Sequence, residues 1–111
     1  MNHRGTLLRV FVGEEDRYER RPLYEALVDA LQSRGFSGAI VLKGVEGFGS
    51  SRQVRSSRAI DRAADLTALI EVIDDEEKIV AFLPTLQGMM SSGLITLEAV
   101  DFRRALGGEA R

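Results

Sequence analysis

Cysteine is absent from this chain, which excludes a disulfide framework, a thiolate metal site and a cysteine nucleophile. Histidine is almost absent. The single one, His3, sits beside the N-terminus and leaves nothing for a His-dependent triad or a zinc cluster. An excess of basic charge is also missing. A formal net charge of −2 does not provide the basic face of a general nucleic-acid binder, so no nucleic-acid partner is expected. No apolar run approaches the roughly 18–20 residues that span a membrane, and Met1–Gly5 does not open a signal peptide. The expectation is a soluble cytoplasmic protein. Carboxylates are plentiful, yet no pair is set apart as acid and base, and Ser50, Ser51, Ser56 and Ser57 have no base nearby in sequence. The chain therefore reads as a non-enzyme with no catalytic residues and no resident metal.

What remains is a balanced globular composition. At 111 residues with 44% hydrophobic residues, the chain can bury one core, and residues 1–111 read as a single domain. "TLLRVFVGE" (Thr6–Glu14) reads as a strand with Leu8, Val10 and Val12 on one face and Leu7, Arg9 and Phe11 on the other. In "EEDRYERRPLYEALVDALQSRG", Pro22 suits the first turn of a helix, and Leu23, Leu27, Ala30 and Leu31 fall at helical spacing. Gly35 is placed to end that helix in a left-handed cap. Gly38–Gly44 reads as a second strand and Asp65–Asp74 as a third, apolar on both faces.

"DDEEKIVAFLPTLQGMMSSG" reads as a second helix. Its acids suit the positive end of the dipole, and Pro84 should kink it or mark a boundary. "LITLEAVDF" is a last strand, bent near Glu98, and the tail from about residue 105 reads as frayed. The order βαββαβ predicts an α+β ferredoxin-like sandwich, with an antiparallel sheet and two helices on one face. Leu7, Phe11, Leu69 and Ile73 then share the other face, and such a patch predicts an oligomer.

Between the second and third strands lies a long polar interruption, residues 45–65. From Gly44 to Arg58 there are three arginines and one acid, Glu46, a formal +2 against −2 for the chain. Guanidinium forks suit phosphate or carboxylate, and glycines let backbone N–H groups approach an anion. A solvated surface loop explains the same composition. Gly44, Gly47 and Gly49 suit backbone positions with positive φ, and Phe48 suits either an anchor or a stacking platform for a base. The run Gly13–Arg17 carries three acids, which read as a solvated turn capping a helix start rather than a Mg²⁺ site.

Taken in order, G-E-x-D-R-Y, P-L-Y-E, the G-x-x-G-F-G turn, I-E-V-I-D and F-L-P resemble the PII-like domain-of-unknown-function family one-ninety. The likeness extends from about Thr6 to Phe102. It implies a PII-like homotrimer that binds a small-molecule effector between subunits and presents the long loop to a target protein. In PII proteins that loop opens with a segment like G-F-G-R-Q. The resemblance therefore points to Gly44, Gly47, Phe48, Gly49, Ser50, Ser51, Arg52, Gln53 and Arg55 as ligand-binding residues, with Arg103 and Arg104 reaching a neighbour's cleft. Ser50 and Ser51 separate G-F-G from Arg52–Gln53. The segment "MMSSGLITLEAV" has Gly93 but lacks the lysine of the PII phosphate turn. The resemblance then implies an AMP- or ADP-like adenine nucleotide, or another small ligand, rather than a triphosphate. The alternative is a ligand-independent interaction module docking on a membrane transporter or an enzyme.

Overall fold

The structure, a computed structural model, describes residues 3–44, 46–48, 54–56 and 66–105, with only the backbone pairing described for 46–48 and 54–56. β1 (His3–Gly13) leads through a short hairpin, β2 (Arg17–Tyr18) and β3 (Arg21–Pro22), into α1 (Leu23–Ser33). β4 (Ile40–Lys43) is followed by a second small hairpin, β5 (Glu46–Phe48) and β6 (Val54–Ser56). β7 (Thr67–Asp74), α2 (Glu76–Met89) and β8 (Leu94–Phe102) complete the described elements. The main sheet has the order β4-β7-β1-β8 and every pair is antiparallel. This is the ferredoxin-like α+β sandwich that the element order predicts.

Alternation in the strands sets the core. Leu8, Val10 and Val12 of β1 and Ala68, Ile70 and Val72 of β7 are buried beneath the helices. α1 contributes Leu23, Ala26, Leu27 and Leu31, and α2 contributes Ile79, Phe82 and Leu86. Each large side chain fully buried there contributes on the order of 1.5–3 kcal/mol. α1 ends as its glycine predicts. Gly35 takes φ +83°, its N–H bonds the Gln32 carbonyl, and Phe36 N–H returns to the Leu31 carbonyl. That pair of bonds is a Schellman cap, and it turns Phe36 into the core against the edge of Phe82. Lys78 of α2 then donates to the Gly35 carbonyl at 2.7 Å, tying the end of one helix to the start of the other.

Several sequence expectations are corrected. Pro22 lies just outside α1, paired with Arg17, because the chain forms a hairpin before the helix begins. Pro84 does not end α2, which runs on to Met89. Pro84 has no N–H to offer the carbonyl of Val80, a residue on the exposed side of the helix. The register of β8 on β1 runs unbroken through Glu98, from Leu94 opposite Phe11 to Phe102 opposite His3. Asp75 precedes α2 without a side-chain cap, while Asp74 is buried at the end of β7 and accepts Asp75 N–H.

Among the described residues, no helix covers the second sheet face. Register aligns Leu94, Phe11, Leu69 and Leu42 in one apolar row from edge to edge. The next row centres on Arg9, which bonds Glu71 Oε2 at 2.8 Å and pairs with Glu98 at 3.5 Å. Chiefly through the Glu71 hydrogen bond, these carboxylates hold the Arg9 guanidinium above its ordinary pKa. Among the described residues, no helix is long and apolar enough to cross a membrane.

Candidate functional site

The root of the long interruption lies at one end of the main sheet, where β1 and β4 finish and β7 and β8 begin. Backbone bonds fix this end. Glu14 N–H donates to the Leu66 carbonyl at 2.6 Å and Gly44 N–H to the Thr67 carbonyl at 2.8 Å. Asp16 closes the turn after β1. Its carboxylate accepts Gly13 N–H at 2.9 Å, its own N–H returns to the Gly13 carbonyl, and its carbonyl accepts Leu23 N–H at the start of α1. Asp16 thus closes a structural turn, and α1 begins at Leu23 without a side-chain cap. Among the described residues, no group of three His, Cys, Asp or Glu is placed to hold a metal.

Lys43, the last residue of β4, pairs with Ala68 and so rises on the helix side of the sheet. Its ammonium lies 3.3 Å from Glu14 Oε2 and 4.8 Å from the centre of the Tyr24 ring. Hydrogen bonding to Tyr24, and then to Glu14, holds the Lys43 pKa above its ordinary 10.5. The three residues come from the G-E-x-D-R-Y turn, the P-L-Y-E helix and the strand ahead of G-x-x-G-F-G. Sequence reading does not single out Lys43, Glu14 or Tyr24 as a site. The available signal is that three motifs, scattered along the chain, lead to one end of the βαββαβ sheet.

Of the ligand residues named from the sequence, Gly44 sits at this root. It does not use positive φ; its role here is the bond to Thr67. Gly47, Phe48 and Arg55 belong to the β5–β6 ladder, Gly47 opposite Arg55 and Phe48 opposite Val54. Gly49, Ser50, Ser51, Arg52 and Gln53 lie outside the described residues. Arg103 and Arg104 follow β8 at the far end of the sheet, beside His3. Arg104 donates to Ser37 Oγ at 3.3 Å and lies 5.3 Å from the Phe102 ring centre. The length of β1, roughly 30 Å, separates them from Gly44, so one chain does not bring Gly44 and these two arginines together. A separate groove of about 530 Å³ runs between α2 and β8, lined by Arg4, Thr6, Glu76, Val80, Leu97 and Ala99 among others. Neither Gly44 nor the two arginines reach it.

Comparison with known proteins gives a consistent result. The model of the family described as "Uncharacterized ACR", domain of unknown function 190, matches residues 5–102. A "UPF0166 protein" of Aquifex aeolicus is 37% identical over 95 residues, covering 86% of this chain and 90% of that protein. Another from Methanocaldococcus jannaschii is 32% identical over 95 residues, covering 85% of this chain and 87% of its own. Two solved structures share the fold. CPII, a nitrogen regulatory PII-like protein from Thiomonas intermedia K12 bound to ADP, AMP and bicarbonate, matches with a TM-score of 0.63 at 16% identity, covering 96% of this chain and 94% of its own. A putative PII-like signaling protein from Thermus thermophilus matches with a TM-score of 0.61 at 19% identity, covering 91% and 89%.

Proposed function

This chain belongs to the uncharacterised domain-of-unknown-function family 190, and from that membership we propose that it is a non-enzymatic, PII-like signalling protein. It works as a homotrimer, one domain per chain over residues 1–111. An AMP- or ADP-like nucleotide sits between subunits, and residues 45–65 are presented to a target protein. One subunit supplies Gly44, Gly47, Phe48, Gly49, Ser50, Ser51, Arg52, Gln53 and Arg55, and its neighbour supplies Arg103 and Arg104.

The observation that carries this reading is the pair of unsatisfied requirements in a single chain. The helix-free face presents an apolar row, with Leu42 and Leu94 both at least half exposed. Gly44 and the Arg103–Arg104 pair stand at opposite ends of β1, so these three meet on one ligand when two copies contribute. Like this chain, CPII has a PII-like fold, and it was solved with ADP and AMP. Ligand contacts made only in the ordered arrangement of the long loop supply the switching free energy.

Light scattering should give a trimeric mass at micromolar concentration, and calorimetry should show ADP or AMP binding that Arg52→Ala weakens at least tenfold, as expected for loss of a charge-assisted phosphate contact. A monomer removes the proposed cleft. A trimer that gives no heat with any adenine nucleotide up to millimolar concentration instead favours the ligand-independent docking module.

A further inference from the structure

We propose that Lys43 is a further cation, beside Arg52, that receives the nucleotide's phosphoryl oxygens, and that Glu14 is an internal competitor which the ligand must displace. The inference rests on the nucleotide reading above and deepens it. The turn between α2 and β8 offers no lysine, and its glycine is committed to backbone packing. At Gly93, φ is +122° and a Cβ would stand 2.5 Å from the Phe11 carbonyl oxygen. A phosphate grip therefore has to come from another element.

Lys43 meets the requirement. It is the last residue before the glycine run, and its ammonium points to the helix side at the loop root. Its side chain is 47% exposed, open to a ligand. Two of the hairpin arginines are otherwise engaged, Arg17 on the Arg20 carbonyl and Arg21 on Asp29. Glu14 holds a carboxylate 3.3 Å from the ammonium, and its own backbone N–H is anchored to Leu66. A carboxylate fixed there occupies a position that a phosphoryl oxygen would take. The Tyr24 ring lies 4.8 Å away and keeps the ammonium in place by cation–π attraction when Glu14 lets go. The exchange replaces one anion by another of higher charge, so the lysine is never left unpaired. Glu14 thus sets the concentration at which the protein responds.

The test is calorimetry on the full chain and on Glu14→Gln and Lys43→Met, with ADP and adenosine as ligands. Removing a partly exposed ion-pair competitor should tighten ADP binding about three- to fivefold in Glu14→Gln. Losing the charge-assisted contact should weaken ADP at least tenfold in Lys43→Met. Adenosine, which has no phosphoryl group, should bind all three proteins alike. Thermal melts check that the variants fold. Glu14→Gln binding ADP no tighter than the parent overturns the exchange, and so does Lys43→Met weakening adenosine as much as ADP. Should the parent bind neither ligand, the nucleotide reading itself falls. Inorganic phosphate titrated into Glu14→Gln, followed by the Lys43 and Gly44 amide resonances, then decides the oxyanion site: shifts that saturate retain it, and unmoved resonances remove it.

Discussion

A methyl group on Gly93 would sit 2.5 Å from the Phe11 carbonyl oxygen and 2.8 Å from Met90 Cε, at a φ of +122°. Backbone cannot yield at the first contact without disturbing the β1–β8 ladder, which begins one residue later. Gly93→Ala is therefore expected to destabilise the fold by roughly 2–3 kcal/mol, the upper part of the range for a strained backbone position. Gly44→Ala is the control. Its Cβ would lie 3.6 Å from the Thr67 carbonyl, an ordinary contact, and φ is not positive, so the change should stay within about 0.5 kcal/mol. Urea denaturation of both variants separates these outcomes. The two glycines read alike in the sequence, because what distinguishes them is a carbonyl contributed by a strand some eighty residues away in one case. Lys43 is hidden for the same reason. Its partners Glu14 and Tyr24 lie on other elements, and only the sheet register brings them together.

Among the elements, the main-sheet strands, the four-residue β4 included, and both helices are legible in the sequence, and the two small hairpins are not. β1, α1, β7, α2 and β8 each carry enough residues for a period of two or 3.6 to show, and the β8 pattern ends at Leu94 and Phe102 as the strand itself does. The β2–β3 hairpin has two residues per strand and lacks the Asn-Gly signature of a tight turn. Its turn residues are Glu19 at φ 50° and Arg20 at φ 73°, positive at both positions as a type I′ turn requires. Neither residue favours that region, so the turn is held by its surroundings. Arg17 contributes by donating to the Arg20 carbonyl at 2.8 Å, and Asp16 by its carbonyl bond to Leu23 N–H. Both bonds use groups that a substitution at position 20 leaves intact. Arg20→Gly should accordingly stabilise the protein by about 1 kcal/mol, the relief of one left-handed non-glycine residue. A rise of several degrees in the thermal midpoint would confirm it, and an unchanged or lower midpoint would show that the arginine side chain itself supports the hairpin.

At the scale of the whole molecule, the decisive feature is the sheet face without helices. Strand alternation predicts that Leu7, Phe11, Leu69 and Ile73 share it, and the register bears out both pairs, Leu7 opposite Ile73 and Phe11 opposite Leu69. Register also adds Leu42 and Leu94 at the two edges, which alternation alone could not align. These two side chains are 50% and 57% exposed in the single chain. Their replacement by aspartate therefore costs an isolated subunit little, since water still reaches both positions. In the proposed trimer the same carboxylates would be carried into an apolar contact, where an unpaired charge is costly. The double variant Leu42→Asp, Leu94→Asp should sediment as a monomer at concentrations where the parent is a trimer, with its far-ultraviolet circular dichroism unchanged. It should also lose nucleotide binding, although neither residue belongs to the proposed ligand set, because Arg103 and Arg104 reach the loop root only from a neighbouring copy. A variant that stays trimeric would place the subunit contact elsewhere. One that dissociates yet still binds ADP would move the ligand site wholly onto one chain, leaving Lys43 and its turn as the part of it that survives.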